Sequence, residues 1–263
     1  MNEINKTLFI PLYGKSYVSK KNIILKDYAA ELIWEKEGFV LRGKSKSKWL
    51  AYNMAMRARV FDEWTDSVLE NNKDALVLHI GCGLDNRCKR VRQPYKCWID
   101  CDFSEVIEAR RNYFIETDNY HMQVLNAAEP LQIRGLPEND VAIVILEGVS
   151  MYLSDEQVYG LFKALKEKYK YLHVLMDIYT EFGAKASKYK NPVNEVGVTN
   201  LFGRDDIVPV IGDVELRLIQ EHTMTPMKLI NELKPLERLF FKVLFNGRLY
   251  RKIYRLLELS NVS

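Results

Sequence analysis

The sequence predicts an α/β fold, a doubly wound and mostly parallel sheet with a helical cap in front of it. From Ala75 onward, short apolar runs alternate with amphipathic segments. That is the pattern of strands covered on both faces by the helices between them. The first run, Ala75-Leu-Val-Leu-His-Ile80, ends in two glycines one residue apart, Gly81 and Gly83, with an acid at Asp85. A strand that breaks into a glycine turn and then a helix leaves room for a nucleotide-like ligand. The first seventy residues, by contrast, show no strand alternation and read as helical.

Asp27 caps a segment Tyr28-Ala-Ala-Glu-Leu-Ile-Trp-Glu-Lys36 that places Ala29, Leu32 and Ile33 on one face. A lysine-rich loop, Gly43-Lys-Ser-Lys-Ser-Lys48, is read as solvated, with phosphate binding as the alternative, and leads into a longer helix over 49–69. Strands are expected over 76–80, 96–101, 121–125, 141–146 and 171–178, with helices over 84–91, 104–114 and 154–169 between them. Ser154 and Gln157 form a capping box for the last helix. Segment 214–220 alternates and supplies a sixth strand, while Ile253, Leu257 and Leu259 suit a final one. In the basic tail, Leu239, Phe240, Val243 and Leu244 share a helical face. Such a tail can lie on a membrane surface, but packing against the core is the commoner arrangement and is the one expected.

Composition narrows the function. The 263 residues are 48% hydrophobic, enough for one large core or two modest ones, and the formal net charge of +3 gives no reason to invoke nucleic acid. No run of eighteen apolar residues occurs, and the start lacks the apolar stretch of a signal peptide, so a cytoplasmic protein is expected. The cysteines Cys82, Cys88, Cys97 and Cys101 cluster, but no CxxC pair is present, so they are read as free thiols and no metal is expected.

The glycine turn is not that of a dinucleotide or phosphate site. Asn86 stands where the dinucleotide fingerprint needs its third glycine, and no Gly-Lys-Ser/Thr follows. S-adenosylmethionine carries no phosphate and needs only the close backbone approach. The next strand ends in Asp100 and Asp102, where a carboxylate can accept both ribose hydroxyls. Acids there also suit the N-terminus of the following helix. Glu147 closes the run Val141-Ala-Ile-Val-Ile-Leu146. A carboxylate at the end of a buried strand needs a cationic partner, and S-adenosylmethionine offers an ammonium and a sulfonium.

Three stretches, His79-Ile-Gly-Cys-Gly-Leu-Asp-Asn-Arg87, Trp98-Ile-Asp-Cys-Asp-Phe-Ser-Glu-Val-Ile107 and Ile145-Leu-Glu-Gly-Val-Ser-Met-Tyr-Leu153, resemble successive motifs of the leucine carboxyl methyltransferase family. Its bacterial branch includes tetracenomycin-type polyketide O-methyltransferases. The resemblance runs from Lys15 to about Asp177 and implies a seven-stranded class I methyltransferase (Rossmann-like) sheet that binds S-adenosylmethionine. It implies that Lys15 and Arg59 clamp the cofactor's carboxylate, with Arg57 as the other candidate. Gly81, Gly83 and Asp85 would shape the turn, Asp102 would bind ribose and Glu147 would lie beside the methionine part. Where the family often has an Asp-Leu pair near adenine, this chain has Asn126-Ala127. Taken alone, Lys15 and Arg59 would be surface charges on a helical cap. The expected layout is a single domain over 1–263, with a cap over 1–72, a cofactor-binding core over 73–180 and a substrate-side segment over 181–263.

Methyl transfer from a sulfonium is an in-line displacement, so the protein chiefly aligns the reactants and excludes water. A carboxylate acceptor needs no base, whereas a phenol benefits from one. His222 is the histidine placed where a substrate cover could lie and is the candidate base. The expected function is O-methylation of a hydroxyl or carboxylate on a small, polyketide-like molecule. Two alternatives stay open: carboxyl methylation of a protein C-terminus, and a non-catalytic S-adenosylmethionine-binding partner protein.

Overall fold

Seven strands make one sheet: β1 (Leu76–Ile80), β2 (Cys97–Asp102), β3 (Tyr120–Val124), β4 (Val141–Leu146), β5 (Tyr171–Tyr179), β6 (Arg217–His222) and β7 (Tyr254–Ser260). Their order is β3-β2-β1-β4-β5-β7-β6. The five strands β1 to β5 pair in parallel, and β7 runs antiparallel between β5 and β6. The computed structural model describes residues 8–38, 40–41, 43–190 and 201–262. All residues of β1 are buried, as its unbroken apolar run requires of a central parallel strand. The chain leaves β1 for β2 on one side and later returns to β4 on the other. The crevice at the carboxyl ends of β1 and β4 is therefore the topological switch point.

The helices follow from their caps and faces. The cap consists of α1 (Phe9–Ser19), α2 (Tyr28–Glu37) and α3 (Lys48–Asn71). Asp27 accepts a hydrogen bond from the Ala30 N–H, 2.9 Å away, and so starts α2. Helix α4 (Arg87–Arg90) follows the glycine turn, α5 (Ser104–Arg111) follows β2 and α6 (Asp155–Lys168) precedes β5. The Ser154–Gln157 capping box of α6 is formed in both directions. The remaining helices are α7 (Glu181–Lys190), α8 (Val208–Ile211), α9 (Met227–Ile230), α10 (Pro235–Phe245) and α11 (Arg248–Arg251). Cap residues Phe9, Ala30 and Phe61 join Val77 and Ile143 of the sheet in one apolar cluster. Leu161 and Phe162 of α6 cover the other face with Leu78 and Val144. Among the described residues, no helix is long and apolar enough to cross a membrane.

Two expectations need correcting. The helix expected over 84–91 is a single turn, because Asp85 and Asn86 stay outside it and Asp85 is committed to side-chain ion pairs. The sixth strand begins later than expected and includes His222, so that residue lies on the sheet edge rather than in a cover.

Candidate active site

The carboxyl ends of β1, β2 and β4 open into a cavity of about 870 Å³ roofed by the cap. That is near the upper end of the roughly 300–1,000 Å³ typical of small-molecule sites. Gly81, Gly83, Asp102, Asn126 and Glu147 line its floor, and Lys15, Arg57 and Asp85 close one side. Gly81 has φ +71°, and a side chain there would put its Cβ 2.2 Å from Val149 Cγ2. Gly83 has φ +53°, which an L side chain rarely adopts. Glycine is required at position 81 by the contact with Val149 and is favoured at position 83 by its positive φ alone.

Asp102 sits where β2 ends. One carboxylate oxygen accepts from the Gly83 N–H and the other from the Phe103 N–H, both at 2.8 Å. Burial still pushes its carboxyl above the ordinary range. Hydroxyl donors from a ligand would favour the ionised form. Asn126 Oδ1 accepts from the Ala128 N–H at 3.0 Å, which fixes the loop after β3 at the rim of the cavity.

Glu147 lies within a buried ionic network. It accepts from Arg57 Nε at 2.9 Å and from Arg87 Nη2. Burial alone would raise its carboxyl, but Arg87 and Arg57 hold it down at about 2. Arg57 Nη1 also reaches Asp177 at 2.9 Å and donates to the Tyr254 hydroxyl at 2.7 Å. Burial raises Asp177 despite that guanidinium. Asp85 pairs with Lys15 at 3.0 Å, Arg90 at 2.6 Å and Arg87 at 3.2 Å. These cations hold its carboxyl well below the usual range against the effect of burial. Arg87 and Arg90 then join Asp62 of α3, and Arg90 reaches Asp27. The network ties cap to sheet through side chains that only the fold brings together.

Most of the residues singled out in the sequence therefore meet at one place, and two do not. Lys15, Gly81, Gly83, Asp85, Asp102, Asn126 and Glu147 all line the cavity. Arg59 does not: its side chain is 37% exposed and pairs with Glu63 one turn along α3. Two residues along a helix is a rotation of about 200°, so α3 turns Arg57 inward and Arg59 outward. His222 also lies away from the cavity, paired with Glu258 at 2.6 Å on the edge of the sheet. Tyr179, the last residue of β5, lines the cavity, whereas Phe182 and Phe202 beyond it are exposed. Asp62, Arg90, Asp177 and Tyr254 escaped the sequence reading. No spacing in the sequence marks them: Asp62, for one, stands beside Glu63 in a stretch of helix that also carries Arg57, Arg59 and Asp66.

At its other end the cavity is apolar and aromatic. Trp49, Leu50 and Met54 of the cap face Tyr152, Leu153 and Phe245. Asn53 is buried there: its Oδ1 accepts from the Tyr250 hydroxyl at 2.9 Å, and its Nδ2 has no partner among the described residues. Among the described residues, no cluster of His, Cys, Asp and Glu has the makings of a metal site.

A parallel sheet with an antiparallel β7, a phosphate-free glycine turn and an acid at the tip of β2 define a class I S-adenosylmethionine-dependent methyltransferase. The chain belongs to the leucine carboxyl methyltransferase family, whose model matches residues 6–166. The tetracenomycin polyketide synthesis O-methyltransferase TcmP of Streptomyces glaucescens is 28% identical over 187 residues, covering 70% of this chain and 69% of that protein. The S-adenosyl-L-methionine-dependent methyltransferase dpfgK of Gibberella zeae is 26% identical over 182 residues, covering 63% of this chain and 61% of that protein. Among solved structures, a candidate methyltransferase of Thermobifida fusca is similar in fold, with a TM-score of 0.57 at 15% identity, over 94% of this chain and 93% of that one.

Proposed function

We propose that this protein transfers the methyl group of S-adenosylmethionine to an oxygen of a small, largely apolar aromatic acceptor. The observation that carries the reading is one continuous cavity, polar beneath the cap's charged residues and aromatic at the far end. Bound S-adenosylmethionine supplies a methyl group already activated by its sulfonium. In the proposed arrangement Asp102 receives the ribose hydroxyls, Asn126 lies beside the adenine, and Glu147 with Arg57, Lys15 and Asp85 receives the methionine end.

The acceptor end works by placement. Trp49, Leu50 and Met54 exclude water and press an apolar ring system toward the cofactor end. Asn53 Nδ2, left without a partner among the described residues, is suited to donate to an acceptor oxygen after a small side-chain rotation. Among the described residues, His79 is the histidine that lines the cavity, and it is buried under the turn beside Asp100 at 3.3 Å. A carboxylate or an acidic phenol, either of which is ionised without help, is therefore the acceptor chemistry that fits. The resemblance to polyketide O-methyltransferases agrees with such an acceptor.

The experiment is a radiolabelled methyl-transfer screen of aromatic carboxylic acids, phenols and peptides ending in a free carboxylate. Methylation of the aromatic acids or phenols is expected, with Asn53→Ala raising the acceptor KM and leaving cofactor affinity unchanged. Methylation of the peptides alone overturns the reading.

A further inference from the structure

Helix α10 turns its apolar side away from the protein. Leu236, Leu239, Phe240, Val243 and Leu244 recur at the three- and four-residue spacing of one helical face, and they are 75%, 62%, 58%, 67% and 56% exposed. Phe241 is the buried residue of the helix, packed edge-on against Tyr52 with ring centres 6.2 Å apart. The expectation that this face packs on the core is therefore overturned. A single exposed leucine is ordinary, but five large apolar side chains on one face form a contiguous patch that marks an interaction surface.

The exposed charges of α10 and its N-cap are basic: Lys234 at the N-cap and Lys242 within the helix are exposed, and Arg238 lies between them, while exposed Glu232 just before the N-cap accepts from the Ile24 N–H. Glu237, the acid of the helix, is turned inward, where it accepts from Lys48 at 2.7 Å and Tyr52 at 2.9 Å. Those contacts bring the lysine-rich loop against the helix, although the two lie about 190 residues apart in sequence. Exposed Lys46 belongs to that loop, and Lys21 is near enough to help lower the carboxyl of Glu237, after its hydrogen bonds from Lys48 and Tyr52. A second copy of the chain seated on this face about a two-fold axis would bring one basic rim against another, whereas an anionic surface offers that rim opposite charge. The patch also adjoins the cavity, because Phe245 ends α10 and Trp49 packs near Phe240 at 6.4 Å, and both line the cavity wall.

We propose that α10 and the loop over 43–48 seat this protein peripherally on an anionic lipid bilayer. The apolar face would enter the boundary of the acyl chains while Lys46, Lys234 and Lys242 meet the headgroups. The cavity wall formed by Trp49 and Phe245 would then lie close to the lipid, where apolar acceptors concentrate. The surface does not depend on methyl transfer and is tested without it.

Vesicle flotation provides the test, comparing phosphatidylcholine alone with phosphatidylcholine containing phosphatidylserine. The protein should partition at least about tenfold more strongly onto the anionic vesicles, and added salt should weaken this binding. Leu239→Glu with Val243→Glu should reduce partitioning by about tenfold or more, because the face must then be dehydrated with two charges on it. Lys46→Gln and Lys242→Gln should each reduce it about fivefold, as expected for roughly 1 kcal/mol per basic residue near such a surface. All four positions are exposed, so melting temperature and circular dichroism should match those of the parent protein. Failure of the parent protein to bind anionic vesicles overturns the proposal, as does unchanged binding by the double glutamate variant. A dimer in sedimentation velocity that the same double variant splits would assign the face to a second copy and likewise overturn it.

Discussion

Replacing Arg57 and Arg59 separately by methionine tests the organisation of the cap. The Arg57 guanidinium is buried and touches Glu147, Asp177 and the Tyr254 hydroxyl. Methionine fills much of the same space without charge, so the loss falls on those three partners. Breaking a buried ionic contact by removing one member costs about 3–5 kcal/mol, chiefly because the remaining carboxylates stay buried. A chain of this size loses about 2–4 °C per kcal/mol, so Arg57→Met should lower Tm by about 6–20 °C. Arg59 pairs with Glu63 at 3.1 Å on the surface of α3, with 37% of its side chain exposed. Such a pair contributes at most about 0.5 kcal/mol, so Arg59→Met should move Tm by no more than about 2 °C. Calorimetric titration with S-adenosylhomocysteine supplies the second readout. Arg57→Met should lower affinity tenfold or more by releasing Glu147, on the scale of about 1.5–3 kcal/mol for a charged hydrogen bond. Arg59→Met should leave affinity alone. Equal effects of the two changes, or a larger loss from Arg59→Met, would refute the inward placement of Arg57.

S-adenosylhomocysteine at a hundredfold excess over its Kd should stabilise the protein by roughly 2.7 kcal/mol, read as a rise in Tm, while NAD should give none. The reverse result would overturn the choice of cofactor. Asp102→Ala should weaken cofactor binding at least about tenfold by calorimetry, and unchanged affinity would place the ribose elsewhere. Glu147, held at about 2 against an ordinary 4.5, contributes stability that is fully present above pH 4.5 and is lost as pH falls toward 2. At about 1.4 kcal/mol per unit this amounts to about 3 kcal/mol in urea unfolding, and Glu147→Gln should remove that portion of the acid sensitivity. His222→Ala should leave kcat and its pH profile unchanged, since His222 lies away from the cavity; a loss on the order of 100-fold would mark it as a base after all.

The strands of the parallel sheet were legible because their signal is local. A buried strand needs a short apolar run, and a turn at positive φ needs glycine, so the path from Leu76 through Gly83 could be read directly. The acids Asp102 and Glu147 were legible for a related reason, since a carboxylate at the end of a buried strand must have a partner. The partners themselves were not. Asp62, Arg87, Arg90 and Asp27 form one network from three separate segments, and no spacing in the sequence joins them. Arg57 and Arg59 could not be separated by motif, because the choice depends on the phase of α3 against the sheet. Helix α10 shows the limit most clearly. Its apolar residues recur with helical period, which establishes that one face is apolar but not which way that face points. Phe241, Glu237 and the lysine loop settle the direction by pinning the opposite side to α3. A face that amphipathic pattern alone would assign to the core is thereby left in solvent beside the cavity. Solvation of so large an apolar area is costly unless a partner covers it, so this outward face needs explaining just as the buried charges beneath the cap do.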